Sequence, residues 1–157
     1  MWNVMIFLLI TALIGSAKAS ICTGDFVGFV DSTTDLEYCF LFAMDKKREW
    51  YEARSFCKDQ SADLAFLDDG DLHFQIIDYI LAHRDWRDEG FHIGGNDADV
   101  EGQWNWVMPQ QPMEMGYHWW PGQPDGGRRE NFACLYTPDF FFNSCVNGQR
   151  MYTLCRV

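Results

Sequence analysis

Apolar residues recur at helical spacing in the first half of the chain. Within residues 46–60, Trp50, Ala53 and Cys57 stand at i, i+3 and i+7, and charged or polar residues fill most positions between them. This period puts the three side chains on one face of an amphipathic helix, and Asp45 is its expected N-terminal cap. A cysteine on the buried face can link the helix to the core.

A second helical pattern covers residues 71–83. Phe74, Ile77 and Leu81 repeat at a similar spacing, and Gly70 interrupts the chain just before the pattern begins. A breaker followed by this period is typical of a second helix. The first half of the chain therefore contains two predicted helices.

Runs rich in β-branched and aromatic residues predict strands, and most of the sheet falls in the second half of the chain. The runs occupy residues 26–30, 37–42, 64–67, 91–94, 103–107, 133–136 and 151–157. Between residues 94 and 134 lie four of the five prolines, at 109, 112, 121 and 124, with little periodicity. This stretch predicts a long ordered loop, and loops of that length are usually functional.

The first residues are typical of a secretion signal. Residues 4–15 are apolar but too few to span a bilayer, and an Ala-Lys-Ala sequence ending at residue 19 resembles a cleavage site. We therefore predict a signal peptide over residues 1–19 and one compact secreted domain over residues 20–157, with no membrane span in it. The segment lacks a basic residue at its start, so an uncleaved anchor is the alternative.

Cysteine usage agrees with export. The six cysteines stand at positions 22, 39, 57, 134, 145 and 155. An even number in a secreted chain fits three disulfides, although spacing alone does not choose among the fifteen possible pairings.

Charge and motif content exclude several function classes. The net charge of −11 argues against nucleic acid and anionic lipid as partners. The four histidines lack zinc-protease spacing, and no arrangement of serine, histidine and aspartate indicates nucleophilic catalysis. We therefore predict a binding protein and no enzyme.

The most informative motif is Gln123-Pro124-Asp125, inside an aromatic and glycine-rich stretch between residues 117 and 134. Gln123 and Asp125 both carry oxygen ligands, and proline is the residue that most readily follows a cis peptide bond. A cis bond would turn both side chains toward a common point. The motif favours a site that holds a hard cation and a sugar diol together.

Several motifs together resemble those of C-type lectin-like domains, across essentially the whole mature chain. They are Cys39-Phe40, the spacing from Trp50 to Cys57, Phe-His-Ile-Gly-Gly at 91–95, Glu-Gly-Gln-Trp-Asn-Trp at 101–106, Gln-Pro-Asp and the last three cysteines. The resemblance implies an α+β fold with two helices packed on two small antiparallel sheets beside a long ligand-binding loop. It also implies the disulfides Cys57–Cys155, Cys134–Cys145 and Cys22–Cys39.

The resemblance further implies a ligand class. In the family, two sugar hydroxyls bind a calcium ion, and each donates to a carboxylate and accepts from an amide. The order Gln-Pro-Asp is associated with galactose or N-acetylgalactosamine. The implied ligands of both ion and sugar are Gln123, Asp125, Glu130 and Asn143.

Two departures from the family pattern weaken the expected calcium site. The family usually has a glutamate where this chain has Phe132, and Glu130 is two residues away with the same strand parity. The family's Trp-Asn-Asp motif aligns with residues 140–142 without a gap, or with residues 142–144 after a two-residue gap. Neither alignment supplies the aspartate, so we expect calcium to bind weakly or not at all.

Aromatic and basic residues near the motif provide further expectations. The family often places a sugar-stacking tryptophan after the tripeptide, where this chain has Gly-Gly-Arg-Arg. Trp119, Trp120 or Tyr117 is the expected replacement, with the alternative that one tryptophan belongs to the core. Arg128 and Arg129 suit an anionic glycan group, although ordinary exposed loop charge is the simpler interpretation.

Two other features have a structural and a functional interpretation. Asp97 and Glu101 have the spacing of the family's auxiliary calcium site, but we favour a solvated acidic loop. The phenylalanine run at residues 140–142 is expected to be buried instead of forming an exposed adhesive patch.

The expected function is calcium-assisted binding of terminal galactose-type glycans on cell or microbial surfaces, with innate defence as the role that family analogy implies. A single site makes few contacts, so homo-oligomers are expected for avidity. One alternative is calcium-independent glycan binding at the same loop with Arg128 or Arg129. The other is a lectin-like domain that binds a protein or mineral surface and has no sugar site.

Overall fold

A computed structural model describes residues 19–68, 71–116 and 118–157 of the chain. The predicted signal peptide lies outside the described residues except for its last position, as do Gly70 and Tyr117. Within the described ranges, no helix has the length and apolar character to pass through a bilayer.

The described chain contains two α-helices and eight strands. The helices are α1 (Trp50–Asp59) and α2 (Leu72–Ala82). The strands are β1 (Val27–Val30), β2 (Glu37–Arg48), β3 (Asp63–Leu64), β4 (Phe91–Asn96), β5 (Asn105–Trp106), β6 (Phe132–Leu135), β7 (Phe142–Cys145) and β8 (Met151–Arg156). Of these strands, only β7 lies outside the runs that predict strands in the sequence.

The strands hydrogen-bond in the order β1-β2-β8-β4-β6-β7, with β3 added to β8 and β5 added to β4. All these pairs are antiparallel except β4 with β8. The parallel pair joins two antiparallel groups into one mixed sheet of eight strands, where the sequence predicted two small antiparallel sheets. The α+β fold class is therefore confirmed, and the loop from β5 to β6 carries the candidate site.

The first helix begins later than the sequence predicts. Residues 46–48 belong to β2, and Asp45 pairs with Arg48 (Oδ2 to Nη2, 2.7 Å) instead of capping the helix. The cap is Glu49, which forms a capping box with Glu52. The buried Arg48 guanidinium needs the Asp45 carboxylate, so the chain stays extended up to that point. The expected buried face is confirmed and consists of Trp50, Ala53 and Cys57.

Helix α2 forms where the pattern predicts it but buries a different face. Phe74 is 40% exposed and Leu81 is 36% exposed, so two of the three residues that defined the pattern face outward. The buried residues are Leu72, His73, Ile76, Ile77 and Ile80. Apolar residues occupy more than one side of this helix, so the sequence pattern is compatible with more than one buried face. Packing with Phe29 of β1 in the common core selects among them.

The disulfides implied by the resemblance are all present, namely Cys22–Cys39, Cys57–Cys155 and Cys134–Cys145. The second ties α1 to β8, and the third joins β6 to β7. The phenylalanine run is mainly buried, as expected: Phe140 and Phe142 are fully buried, and Phe141 is half-buried. A stapled and well-packed β7 therefore lies under the tip of the long loop.

Candidate functional site

The candidate site lies where the tip of the long loop meets β7. The peptide bond before Pro124 is cis, as the motif predicts. The backbone amide of Gln123 donates to the Trp120 carbonyl, and the backbone amide of Trp120 donates to the Phe142 carbonyl, each at 2.9 Å. These backbone bonds bring Gln123 beside Ser144, two residues beyond Phe142 on β7.

Both polar atoms of the Gln123 side-chain amide are held by hydrogen bonds. Its Oε1 accepts from the Ser144 backbone amide at 2.8 Å, and its Nε2 donates to Asp125 Oδ1 at 2.6 Å. A flipped amide would point N–H groups at the Ser144 N–H, so the network itself assigns the orientation. The second Nε2 hydrogen of Gln123 remains available to a ligand.

The Ser144 hydroxyl lies beside two hydrogen-bond acceptors but has only one proton to donate. Its Oγ lies 2.8 Å from Gln123 Oε1 and 2.8 Å from Glu130 Oε2, and it accepts from the Asp125 amide at 3.3 Å. One hydroxyl proton can serve only one of the two acceptors at a time, so the other faces a lone pair. The cluster is short of one donor or one positive charge.

This donor set fits a hard cation. Gln123, Asp125, Glu130 and Ser144 contribute amide, carboxylate and hydroxyl oxygens, the chemical classes that calcium prefers. Asp125 is exposed and Gln123 and Glu130 are half-buried, so water and ligand oxygens can reach them. Within the described ranges, no group of three His, Cys, Asp or Glu side chains is arranged to hold a metal. Two of the four members here are neutral, and a cation would meet only two carboxylate charges.

A glycine makes room for the Glu130 carboxylate. A Cβ added at Gly126 would overlap Cδ and Oε2 of Glu130. Gly126 has a φ of −82°, which any residue adopts, so the available space and not the backbone requires glycine here.

We expect Gly126→Ala to displace the Glu130 carboxylate from Ser144 and to weaken ligand binding by about tenfold or more. A hydrogen bond to a charged group contributes about 1.5–3 kcal/mol. Titration calorimetry with galactose, the sugar class expected from the sequence, measures the loss. Gly116→Ala is the matched control, because nothing lies within 4 Å of its added Cβ. An equal loss in both variants would contradict this role of Gly126.

Asn143, the fourth predicted ligand, does not join the network. Its Nδ2 donates to the Phe141 carbonyl at 3.0 Å. Successive residues of a strand point to opposite faces, and on β7 it is Ser144 that faces Gln123. The structure therefore brings three of the four predicted ligands together and leaves Asn143 outside their hydrogen bonds.

Ser144 is the site residue that the sequence did not single out. It appeared only as the residue standing where the gapped alignment lacks an aspartate. The only indication in the sequence was that a serine stands at a position where the family usually has a metal ligand. Its four hydrogen bonds to the loop depend on residues 14 to 21 positions away, which no local pattern reports.

The two tryptophans divide between core and surface. Trp119 is 5% exposed and packs edge-on against Trp104, with ring centroids 5.0 Å apart. Trp120 is 43% exposed, and its ring lies 6.2 Å from that of Phe141. Trp120 is therefore the one of the pair that can offer a face to a ligand, whereas Trp119 belongs to the core.

The acidic loop that contains Asp97 and Glu101 is only partly solvated, since Glu101 is exposed but Asp97 is not. Asp97 is buried, and its Oδ2 accepts from the Gly102 amide at 2.8 Å. Its Oδ1 and the Oδ1 of Asn131 are buried without a hydrogen-bond partner. Such oxygens suit a cation, but Arg128 lines the same cleft as Asp97 and Glu101 and brings a positive charge to it. Both Arg128 and its neighbour Arg129 are exposed.

A buried histidine pair fastens the loop to α2. His73 Nε2 lies 2.9 Å from the Phe140 carbonyl and therefore carries a hydrogen. In the neutral ring its Nδ1 is then an acceptor, so His118 Nδ1, 2.9 Å away, must donate to it. Burial lowers the pKa of His73 to about 4 and also lowers the pKa of His118. The two Nδ1 atoms can share only one hydrogen, so protonation of both rings would break this link.

Comparison with known proteins matches residues 46–156 to the family model described as the lectin C-type domain. The chain is 33% identical over 88 residues to C-type lectin domain family 4 member F of Rattus norvegicus, and 30% identical over 109 residues to C-type mannose receptor 2 of Homo sapiens. These alignments cover 55% and 69% of this chain, but it spans only 15% and 7% of those proteins.

Solved structures show the same fold. The carbohydrate-recognition domain of the mouse scavenger receptor C-type lectin has a TM-score of 0.71 at 23% identity, covering 87% of this chain and 97% of that one. A calcium-independent type II antifreeze protein has a TM-score of 0.72 at 17% identity, covering 89% and 96%. The same fold thus occurs in a carbohydrate-recognition domain and in an antifreeze protein.

Proposed function

This chain belongs to the C-type lectin domain family, and on that premise we propose that it binds glycans ending in galactose or N-acetylgalactosamine with the help of calcium. The family consists of binding proteins without enzymatic activity, so the function is recognition. The observation that carries the proposal is the Gln123–Asp125 pair, in which the cis bond and the Ser144 contacts hold an amide and a carboxylate side by side.

The side chains can serve the two hydroxyls of a sugar in complementary ways. The carboxylates of Asp125 and Glu130 would accept hydrogen bonds from the hydroxyls, and the free Nε2 hydrogen of Gln123 would donate one. Gln123, Asp125 and Glu130 would hold the ion, which when bound attracts the hydroxyl oxygens and orients the diol. The exposed Trp120 ring would pack against the apolar C–H face of the sugar.

The direct test is retention on galactose-agarose. The full chain is expressed in a secreting eukaryotic host, and the oxidised protein is loaded in calcium and eluted with EDTA and then with free galactose. We expect elution by EDTA. Release by galactose but not by EDTA would support metal-free recognition, and no retention would overturn the proposal in favour of a protein or mineral ligand.

Reversing the amide and the carboxylate tests the sugar class. In the double variant Gln123→Glu/Asp125→Asn, the carboxylate introduced at position 123 can still accept from the Ser144 amide, so the loop keeps its anchor. We expect galactose to bind about tenfold to a hundredfold more weakly and mannose to gain, because hydrogen bonds to charged groups are worth about 1.5–3 kcal/mol each. Unchanged preference in competition experiments would contradict the proposed polarity of the site.

Secretion and oligomerisation belong to the same proposal. The apolar first residues and three disulfides support an extracellular location. One shallow site gives weak affinity, and avidity from linked copies can exceed it by about 10²–10⁴. A solved structure of the Kupffer cell receptor Clec4f is described as trimeric. Recovery from the culture medium and light scattering check the two points.

A further inference from the structure

We infer that Ser144 is the positioning residue of this site and that it, instead of a bound cation, holds the loop in its binding shape. The inference rests on the proposed function, because it concerns how the same site is assembled. It follows from the contacts of one short side chain and its backbone amide.

Ser144 contacts three residues of the loop, namely Gln123, Asp125 and Glu130. Its backbone amide and hydroxyl both reach Gln123 Oε1, its hydroxyl reaches Glu130 Oε2, and its Oγ accepts the Asp125 amide. A residue that joins three points of a loop restricts the loop far more than separate pairs would. Protein atoms therefore hold the loop at three points.

The platform beneath these contacts is rigid. Ser144 is 7% exposed and lies in β7, which pairs with β6 along its whole length and is bonded to it through Cys134–Cys145. Although β7 is the edge strand of the sheet, a strand that is paired with its neighbour and joined to it by a disulfide opens with a higher free energy than a surface loop. Ser144 therefore attaches the loop to a part of the sheet that moves little.

The neutral hydroxyl also removes a need for a cation. A carboxylate at position 144 would stand where Oγ lies now, 2.8 Å from Glu130 Oε2, and the two negative groups would repel. A loop built that way would need a bound cation to close. With serine, the loop closes first, and either a cation then supplies the missing positive charge or a ligand hydroxyl supplies the missing donor.

Amide exchange measured by NMR tests this inference without any sugar. The Asp125 amide is the reporter because its acceptor is Ser144 Oγ, and the amides of β6 are internal controls for global opening. We expect the wild-type exchange rate at Asp125 to be the same in calcium and in EDTA. In Ser144→Ala it should rise about tenfold in EDTA while β6 is unchanged. Ser144→Thr keeps the hydroxyl and should restore protection.

Ser144→Asp provides the opposite arm. We expect fast exchange at Asp125 in EDTA and protection only when calcium is added. If the wild-type loop loses protection in EDTA, or if Ser144→Ala stays protected there, the inference is overturned. Failure of the wild-type protein to bind galactose while Asp125 stays protected in EDTA would instead overturn only the proposed sugar specificity.

Discussion

Replacing Cys57 and Cys155 together by alanine is expected to lower the free energy of unfolding by about 4–5 kcal/mol. This is the largest loss expected from removing any one of the three disulfides. The two cysteines are 98 residues apart, and the entropy that a disulfide removes from the unfolded chain grows with the loop it closes. The bond also ties α1 to β8, at the centre of the strand order. Urea denaturation followed by tryptophan fluorescence measures the change.

The matched control is the variant that lacks Cys22–Cys39. These residues are only 17 positions apart, so their loss is expected to cost about 3 kcal/mol. The order of the two variants is the prediction that matters. If the short-loop variant proved the less stable of the two, loop entropy would not govern the stability of this domain.

Acidification from pH 7.5 to pH 5 is expected to lower the free energy of unfolding by about 2 kcal/mol for each of His73 and His92. Burial lowers the pKa of both rings from 6.5 to about 4. Between these values the unfolded chain binds more protons than the folded one, so stability falls as pH falls. The contribution is fully present above pH 6.5 and is gone below pH 4.

Charged neighbours modify this dependence. His73 faces His118, whose pKa burial also lowers, while Asp68 and Glu114 favour the charged form of His118. Burial raises the pKa of Asp68, so its protonation in acid stabilises the folded state and opposes the loss. The histidine contributions are expected to prevail because burial lowers the pKa of two rings, His73 and His92, from 6.5 to about 4.

Single variants separate the histidine contributions. His73→Gln removes one titrating ring at the loop anchor, and His92→Gln removes one on β4, where Nε2 bonds to the Gln149 carbonyl. Each variant should lose about half of the pH dependence between pH 7.5 and pH 5, whatever its stability at neutral pH. Urea midpoints across this range report the slope. A slope unchanged in both variants would rule out the buried rings as its source.

Much of the local architecture could be predicted from the chain itself. The period of Trp50, Ala53 and Cys57 predicts the buried face of α1, because residues three to four apart share a helix face. The proline of Gln-Pro-Asp predicts a cis bond because only proline lowers its cost so far. Disulfide pairing was implied by the family resemblance alone, since spacing left fifteen possibilities.

Other features depend on contacts between distant segments. Helix α2 is apolar on several sides, so only its packing beneath β1 selects the face that excludes Phe74 and Leu81. Trp119 and Trp120 are adjacent and chemically identical, and the backbone bonds of the loop to Phe142 turn one inward and the other outward. No pattern along the chain contains that information.

The candidate site divides in the same way. Gln123, Asp125 and Glu130 could be named from motif and parity, because their oxygen chemistry and spacing are local properties. Ser144 and the histidine pair could not, since hydrogen bonds across 14 to 45 residues form only after the loop has folded onto the sheet and helix. Period and composition report what neighbouring residues prefer, whereas the partner of a buried polar group is chosen by the packing of the whole chain.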